Sequence, residues 1–216
     1  MEWMSGDCKN GESTMTYING DKYIGQFKDG KRHGEGTYIS SDGRKYTGQW
    51  EQDLQNGKGT EVYADGGEYT GYFKGGLQQG TGTITYSDGG RYTGQWEHGL
   101  QNGEGAAIYP DGGKYTGQFK DDLPNGEGTF ISPDGDIYTG QFKDGLPNGE
   151  GTQVYSNGDI YTGQFENGLP TGNGSFASLK GEKYIYQFKN DLLKGKGVEI
   201  YPDGNIYIGQ LEDGVR

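Results

Sequence analysis

Little in this chain can build a thick hydrophobic core. Apolar residues make up only 29 % of the 216, and the mean hydropathy is −0.95. Such poverty is the usual signature of disorder. Disordered chains are also poor in aromatics, however, and this one carries 18 Tyr, 8 Phe and 3 Trp. Positive charge is scarce too: 19 Lys and Arg stand against 31 Asp and Glu, a net charge of −12. That argues against nucleic acid, whose phosphates are held by neutralising them with basic side chains. It equally disfavours adsorption to anionic lipid. Cys8 is the sole cysteine. No intramolecular disulfide can form, and the chain is expected in a reducing, cytoplasmic compartment. The opening residues, MEWMSGDCKNG, lack the basic-then-apolar order of a secretory leader. No apolar run approaches the ~20 residues of a membrane helix. A 3.6-residue periodicity is missing, and 45 glycines would each cost a helix roughly 1 kcal/mol. They do not fall at every third residue, so collagen is excluded.

What the chain does have is a repeat. Tyrosines stand at 23, 46, 69, 92, 115, 138, 161, 184 and 207, every gap being 23 residues. Two residues after each comes Gly, except at Tyr186. Four residues after each comes a ring: Phe27, Trp50, Phe73, Trp96, Phe119, Phe142, Phe165 and Phe188, with Leu211 the exception. A Gly-x-Gly follows, as in Gly57/Gly59 and Gly126/Gly128, and then a turn pair such as Asp65-Gly66 or Asn157-Gly158. The near-identical DGGKYTGQFKDDLPNGEGTF (111–130) and DGDIYTGQFKDGLPNGEGTQ (134–153) show the same unit twice. The organisation read from this is a partial N-terminal capping repeat over 1–22, eight tandem repeats over 23–206 and a truncated C-terminal strand over 207–216.

Tyr, Gly and Phe or Trp at i, i+2 and i+4 share one face of a strand, and Gly between two rings leaves room for a neighbouring ring or backbone. A turn near the DGL or NGL segment leads into a second strand rich in Thr, Val, Ile and Tyr, which favour strands. Asp-Gly suits a position of positive φ and closes the unit. The fold expected is all-β: a single-layer, elongated, twisted antiparallel sheet of about nine stacked 23-residue hairpins. At two strands per unit and about 4.8 Å per strand it would form a rod roughly 85 Å long, curving into a trough lined by ladders of rings.

The pattern Y-x-G-x-[WF]-x-x-G-x-x-x-G-x-G resembles the MORN repeat (membrane occupation and recognition nexus). YTGQWEHGLQNGEG, residues 92–105, matches it throughout, and the resemblance covers about residues 5–216. It implies the sheet of hairpins reached above. For function it implies a non-enzymatic scaffold or adaptor of cytoskeletal or ciliary assemblies that binds a protein or peptide partner along a groove, with end-to-end dimers in some members. Phosphoinositide binding, also proposed for the family, is the alternative, and KDGKRH (28–33) is its single basic cluster. Aromatic-Gly hairpins of choline- and glucan-binding proteins have a shorter period and a different register. No cofactor is implied. The groove-lining residues expected are Tyr46, Trp50, Tyr69, Phe73, Tyr92, Trp96, Tyr115, Phe119, Tyr138 and Phe142. Unit eight departs from the pattern at Tyr186 and in SLKGEK, and Tyr184, Tyr186, Leu192 and Leu193 are read as an end or dimer surface.

Catalytic chemistry finds no foothold in the sequence. His33 and His98 occupy different repeat positions, where other units have Asn or Asp, and read as surface substitutions. Cys8 has no repeating His beside it to activate it. The recurrent Gly-x-Gly has no helix behind it and is a packing device, not a phosphate loop. The turn carboxylates Asp42, Asp65, Asp88, Asp111, Asp134 and Asp203 would recur roughly 10 Å apart, too far to share a calcium ion. No metal site is expected. The charged row Lys28, Glu51, Lys74, Glu97, Lys120, Lys143, Glu166 and Lys189 reads as a solvated face.

Overall fold

The structure, a computed structural model, describes residues 3–6, 8–189 and 192–211, with side chains described over 8–188 and 197–210. Among the described residues there are strands and turns and no helix. The chain forms two compact units, Met1–Pro110 and Asp111–Arg216. In the first, ten strands from Trp3–Gly6 to Leu100–Ile108 pair antiparallel, each with its neighbour in sequence. In the second, nine strands from Lys114–Lys120 to Ile206–Leu211 do the same. The strand Trp3–Gly6, paired with Asn10–Thr16, has no Tyr-Gly-ring motif and was not expected.

Each repeat is a seven-residue strand such as Lys45–Glu51 followed by a nine-residue strand such as Leu54–Val62. The tight hairpin between them lies at Gln52-Asp53, both with positive φ (51° and 71°), as a two-residue type I′ turn requires. Asp29-Gly30, His98-Gly99 and Asp121-Asp122 hold the same geometry. His98 is therefore a turn residue. The conspicuous Asp-Gly pair makes a different turn. The Gly66 N–H donates to Tyr63 O (3.0 Å), the Tyr63 N–H donates to Gly67 O (2.8 Å), and the Asp65 carboxylate accepts from the Gly67 N–H at 3.0 Å.

The two strands of a repeat are of unequal length because the second bulges. Gly48 faces Gly59 and Trp50 faces Gln55, with the shift between them. The Gln49 side chain fills the bulge, accepting the Lys58 N–H at 3.0 Å. Gln26, Gln95, Gln118 and Gln141 repeat this bond at 2.9–3.2 Å. Alternation then sorts the side chains. Ladder rings lie on one face; the opposite face carries cross-strand threonine pairs, Thr37–Thr47, Thr60–Thr70, Thr83–Thr93, Thr129–Thr139 and Thr152–Thr162, with hydroxyls 3.0–3.2 Å apart.

Two glycines show two different needs. At Gly59 an added Cβ would stand 2.5 Å from Cε2 and Cζ of Tyr46, a buried ring with nowhere to go. At Gly66 (φ +91°) nothing lies within 4 Å of an added Cβ, and only the backbone conformation resists. Overpacking a core costs typically 1–3 kcal/mol or more, and a left-handed non-glycine residue about 1–2 kcal/mol. Gly59→Ala is therefore expected to lower stability by about 3 kcal/mol and Gly66→Ala by about 1 kcal/mol. Urea unfolding followed by tryptophan fluorescence checks this; equal losses would contradict the ring-on-glycine contact.

Candidate functional site: the ring face

The ladder is built by edge-to-face packing. Tyr23, Tyr46, Tyr69, Tyr115, Tyr138 and Tyr161 each meet the ring of their own strand and the ring one repeat on. Tyr46 lies 5.0 Å from Trp50 and 5.0 Å from Phe73, both at 88°. Tyr23 bridges Phe27 and Trp50, and Tyr69 bridges Phe73 and Trp96, at 5.0–5.4 Å. In the second unit Tyr115, Tyr138 and Tyr161 do the same with Phe119, Phe142, Phe165 and Phe188 at 4.8–5.1 Å. Such pairs contribute about 0.5–1.5 kcal/mol each beyond area burial. The polar ends are satisfied as well. Tyr46 Oη donates to Gln49 O and Tyr115 Oη to Gln118 O, both at 2.9 Å. Trp50 Nε1 donates to Gly36 O at 3.1 Å.

This packing buries the residues expected to line a groove. Tyr46, Trp50, Tyr69, Phe73, Tyr92, Trp96, Tyr115, Phe119, Tyr138 and Phe142 are each at most 5 % exposed. They form the core of a one-layer sheet, which has no second layer to bury in their place. The expected end surface changes in the same way. Tyr186 is 3 % exposed; it sits in the bulge between Ile185 and Gln187, and its ring occupies the space that a Cβ on Gly197 would need. Tyr186 thus does for unit eight what the ladder tyrosine does elsewhere, and Tyr184 is left half-buried. Leu192 and Leu193 belong to the strand Leu192–Ile200; their side chains lie outside the described residues.

The accessible groups of the ring face form a second row. Tyr63 and Tyr86 lean across to the next repeat, where their hydroxyls accept from Gln78 Nε2 and Gln101 Nε2, both at 2.9 Å. Tyr86 is 41 % exposed; Tyr38, Tyr63 and Tyr109 are half-buried. In the second unit Phe130, Tyr155 and Phe176 are half-buried, Tyr155 and Phe176 being 6.3 Å apart. Pro124, Pro147 and Pro170 stand opposite Phe119, Phe142 and Phe165. Part of the signal was in the sequence: seventeen residues after the ladder tyrosine stand Ser40, Tyr63, Tyr86, Tyr109, Ser132, Tyr155, Ser178 and Tyr201, while Tyr38, Phe130 and Phe176 stand fifteen after it. It is diluted by serine and lies at the strand end, where alternation gives no face.

One charged group breaks the row. Arg32 stands 4.3 Å over Trp50 and 5.2 Å over Tyr38. Its Nη2 donates to Asp53 O at 2.7 Å, and its Nε lies 3.4 Å from Asp53 Oδ1. Two recesses flank it. One, about 390 Å³, is lined by Tyr38, Trp50, Arg44, Gln55 and Glu61; the other, about 460 Å³, by Tyr17, Asn19, Asp21 and Tyr38. Hydrogen bonds from Tyr38 Oη and then the Ser41 N–H hold the Asp21 carboxyl well below the usual carboxylate range. Among the described residues no group of three or more His, Cys, Asp or Glu is placed to hold a metal ion.

The MORN repeat family model matches residues 23–43, 46–68, 69–91, 92–114, 115–137, 138–160, 161–181 and 187–206. The gap from 181 to 187 holds Tyr184 and Tyr186, the site of the altered bulge. The chain matches no curated protein sequence. Among solved structures it is similar to the wild-type TCP10 domain of Danio rerio CPAP in complex with a peptide of Danio rerio STIL. That likeness covers 100 % of this chain and 99 % of the other, at TM-score 0.54 and 15 % identity. A second structure of the same domain covers 94 % of this chain and 99 % of its own, at TM-score 0.50 and 12 % identity. At these identities the likeness is one of fold.

Burial leaves a titration signature in the ladder. It pushes the Tyr23 and Tyr138 hydroxyls up to about 12 and those of Tyr46 and Tyr69 higher still. The unfolded value is about 10. The folded pKa is the higher one, so the stability linked to these groups is intact below pH about 10 and is lost as pH rises through about 12. Ultraviolet absorbance is expected to show part of the 18 tyrosines ionising near pH 10 and the ladder only as the sheet unfolds. Ionisation of every tyrosine near pH 10 with circular dichroism unchanged would contradict the packing.

Proposed function

Because the chain belongs to the MORN-repeat family, we propose that it is a non-enzymatic scaffold whose ring face holds an extended segment of a protein partner. The observation that carries this is the row of part-exposed aromatics above the ladder, Tyr63 and Tyr86 with hydroxyls fixed by Gln78 and Gln101. Rigid aromatics with a polar tip give large contact area at small entropic cost, as interface anchors do. The CPAP domain of similar fold, whose structure includes a STIL peptide, supports the same reading. The partial cap over 1–22, the repeats over 23–206 and the final strand over 207–216 complete this organisation. Self-association through the ends of the sheet belongs to the same reading. The cytoplasm, with cytoskeletal or ciliary assemblies, is the setting this reading favours.

Phosphoinositide binding fits the geometry less well. In the KDGKRH cluster Arg32 is drawn onto the ring face by Asp53 and Trp50, and Lys31 Nζ donates to Gln52 Oε1 at 2.9 Å. What remains is no patch, in a chain of net charge −12.

Selection of extended peptides from a display library on the purified chain tests the proposal. A selected peptide is expected to bind Tyr86→Ala about tenfold more weakly, the ~1.4 kcal/mol of one anchor. It should bind Thr70→Ala, altered on the opposite face, unchanged. Recovery of no peptide, or equal tolerance of both substitutions, would remove the ring face as the binding surface.

A further inference from the structure

The recess at Glu61 has a chemistry that the rest of the ring face lacks. Glu61 pairs with Tyr46 on one side and Tyr69 on the other, which puts its carboxylate on the ring face between two ladder tyrosines. It is half-buried, and Gln55 is its hydrogen-bonding neighbour. Desolvation raises its pKa, with Arg44 and Gln55 acting the other way. Of the cations lining the recess, Arg32 is paired with Asp53 and Arg44 with Asp42 at 3.0 Å, while Lys45 is in none of the ion pairs within 4 Å among the described residues. No ion pair within 4 Å reaches Glu61 among the described residues. A carboxylate taken part-way out of water without a counter-charge is costly.

The preceding repeat shows how such a space is filled. There Arg32 extends over Trp50, against Tyr38, with Asp53 as its counter-ion. One period later three members of that set change together: Gln55 stands where Arg32 stood, Glu61 where Tyr38 stood, and Gly76 where Asp53 stood. The cation at that repeat position is gone, a carboxylate has been added, and a recess of about 390 Å³ is left open, lined by Tyr38, Trp50, Gln55, Glu61 and Gly76 together with Arg32, Arg44 and Lys45. That volume accommodates one long side chain. A cation over an aromatic face beside a carboxylate gains from both.

We propose that this recess is a receptor for a basic side chain, an arginine or lysine of the extended partner segment, with Glu61 as its counter-ion. The proposal deepens the ring-face reading and rests on it for the partner. The chain's charge of −12 draws basic segments toward it, and Glu61 would fix which residue of the segment lies where.

N-acetylarginine amide is the direct probe, followed by nuclear magnetic resonance of the Trp50 indole N–H and the backbone amides near Glu61. Saturable shifts are expected there. They should require at least fivefold more probe in Glu61→Gln, which keeps shape and the hydrogen bond to Gln55 while removing charge. N-acetylcitrulline amide, of the same shape and neutral, should bind at least fivefold more weakly than the arginine probe. Tyr86→Ala should leave the probe's binding unchanged. No saturable response, or an equal response from Glu61→Gln or from citrulline, overturns the proposal. Peptides that lose affinity in Tyr86→Ala and keep it in Glu61→Gln would then leave the ring face standing without the cation site. Arginine binding with no selectable peptide would do the reverse.

Discussion

A tyrosine ring laid directly on glycine backbone is the contact on which the rest of this structure hangs. Tyr46 covers Gly59 so closely that a single added carbon collides with the ring. The glycines cost conformational entropy in a strand, and that loss is offset only if the ring is fully used. One hairpin cannot use it. Tyr46 finds Trp50 in its own strand and Phe73 in the next repeat, so half of its edge-to-face contacts come from a neighbour. This is why the unit recurs at an unvarying 23 residues: an insertion would move the next ring out of reach. It is also why so few apolar residues suffice, because each ring serves two repeats.

The same economy decides which positions stay accessible. Rings that pack on one another keep little surface, and Tyr46, Trp50, Tyr69 and Phe73 are each at most 5 % exposed. The positions the ladder does not use are free to differ. Fifteen residues after each ladder tyrosine stand Tyr38, Glu61, Ile84, Ala107, Phe130, Gln153, Phe176 and Glu199. Nine residues after it, Arg32 and three glutamines in the first unit give way to Pro124, Pro147 and Pro170 in the second. An invariant frame therefore carries variable insets: the ninth position is polar in the first unit and proline at three places in the second, and the fifteenth varies in both. Recognition in repeat proteins commonly works this way, with the frame supplying stability and the insets supplying the partner.

Much of this was legible in the sequence. Strict alternation of Tyr, Gly and ring gives strand, face and period without further help, and absent helical periodicity removes the competing fold. How deeply the rings are buried was not legible, for a physical reason. Alternation says which face a side chain takes, but not what covers it. In a sheet of one layer, aromatics sharing a face cover each other. The turns were legible too. The hairpin expected at the DGL and NGL segments lies there, with Asp144-Gly145 and Asn167-Gly168 at positive φ, and Gln52-Asp53 holds the same geometry without a glycine. Tyr186 looked like a defect because its position elsewhere holds glycine. A bulge at that residue lets its ring take over the contact with Gly197, an exchange that a linear pattern does not reveal.

Charge completes the argument from frame to partner. The strongest cation on the ring face of the first unit, Arg32, is held by Asp53 and sandwiched with Tyr38 and Trp50, and so adds little attraction for an acidic ligand. The excess of carboxylates acts over the whole chain; screening confines its reach to about 8–10 Å at physiological salt, enough to favour basic segments on approach without choosing among them. Choice needs a desolvated group at a fixed place, since a carboxylate partly removed from water discriminates far more strongly between a cation and a neutral side chain than an exposed one does. Glu61 is such a group. Its neighbours Arg32 and Arg44 are each paired with an aspartate, so an incoming cation would meet a carboxylate that no ion pair within 4 Å engages among the described residues. Long-range attraction and local register thus come from different residues, and the ladder beneath them keeps both in place.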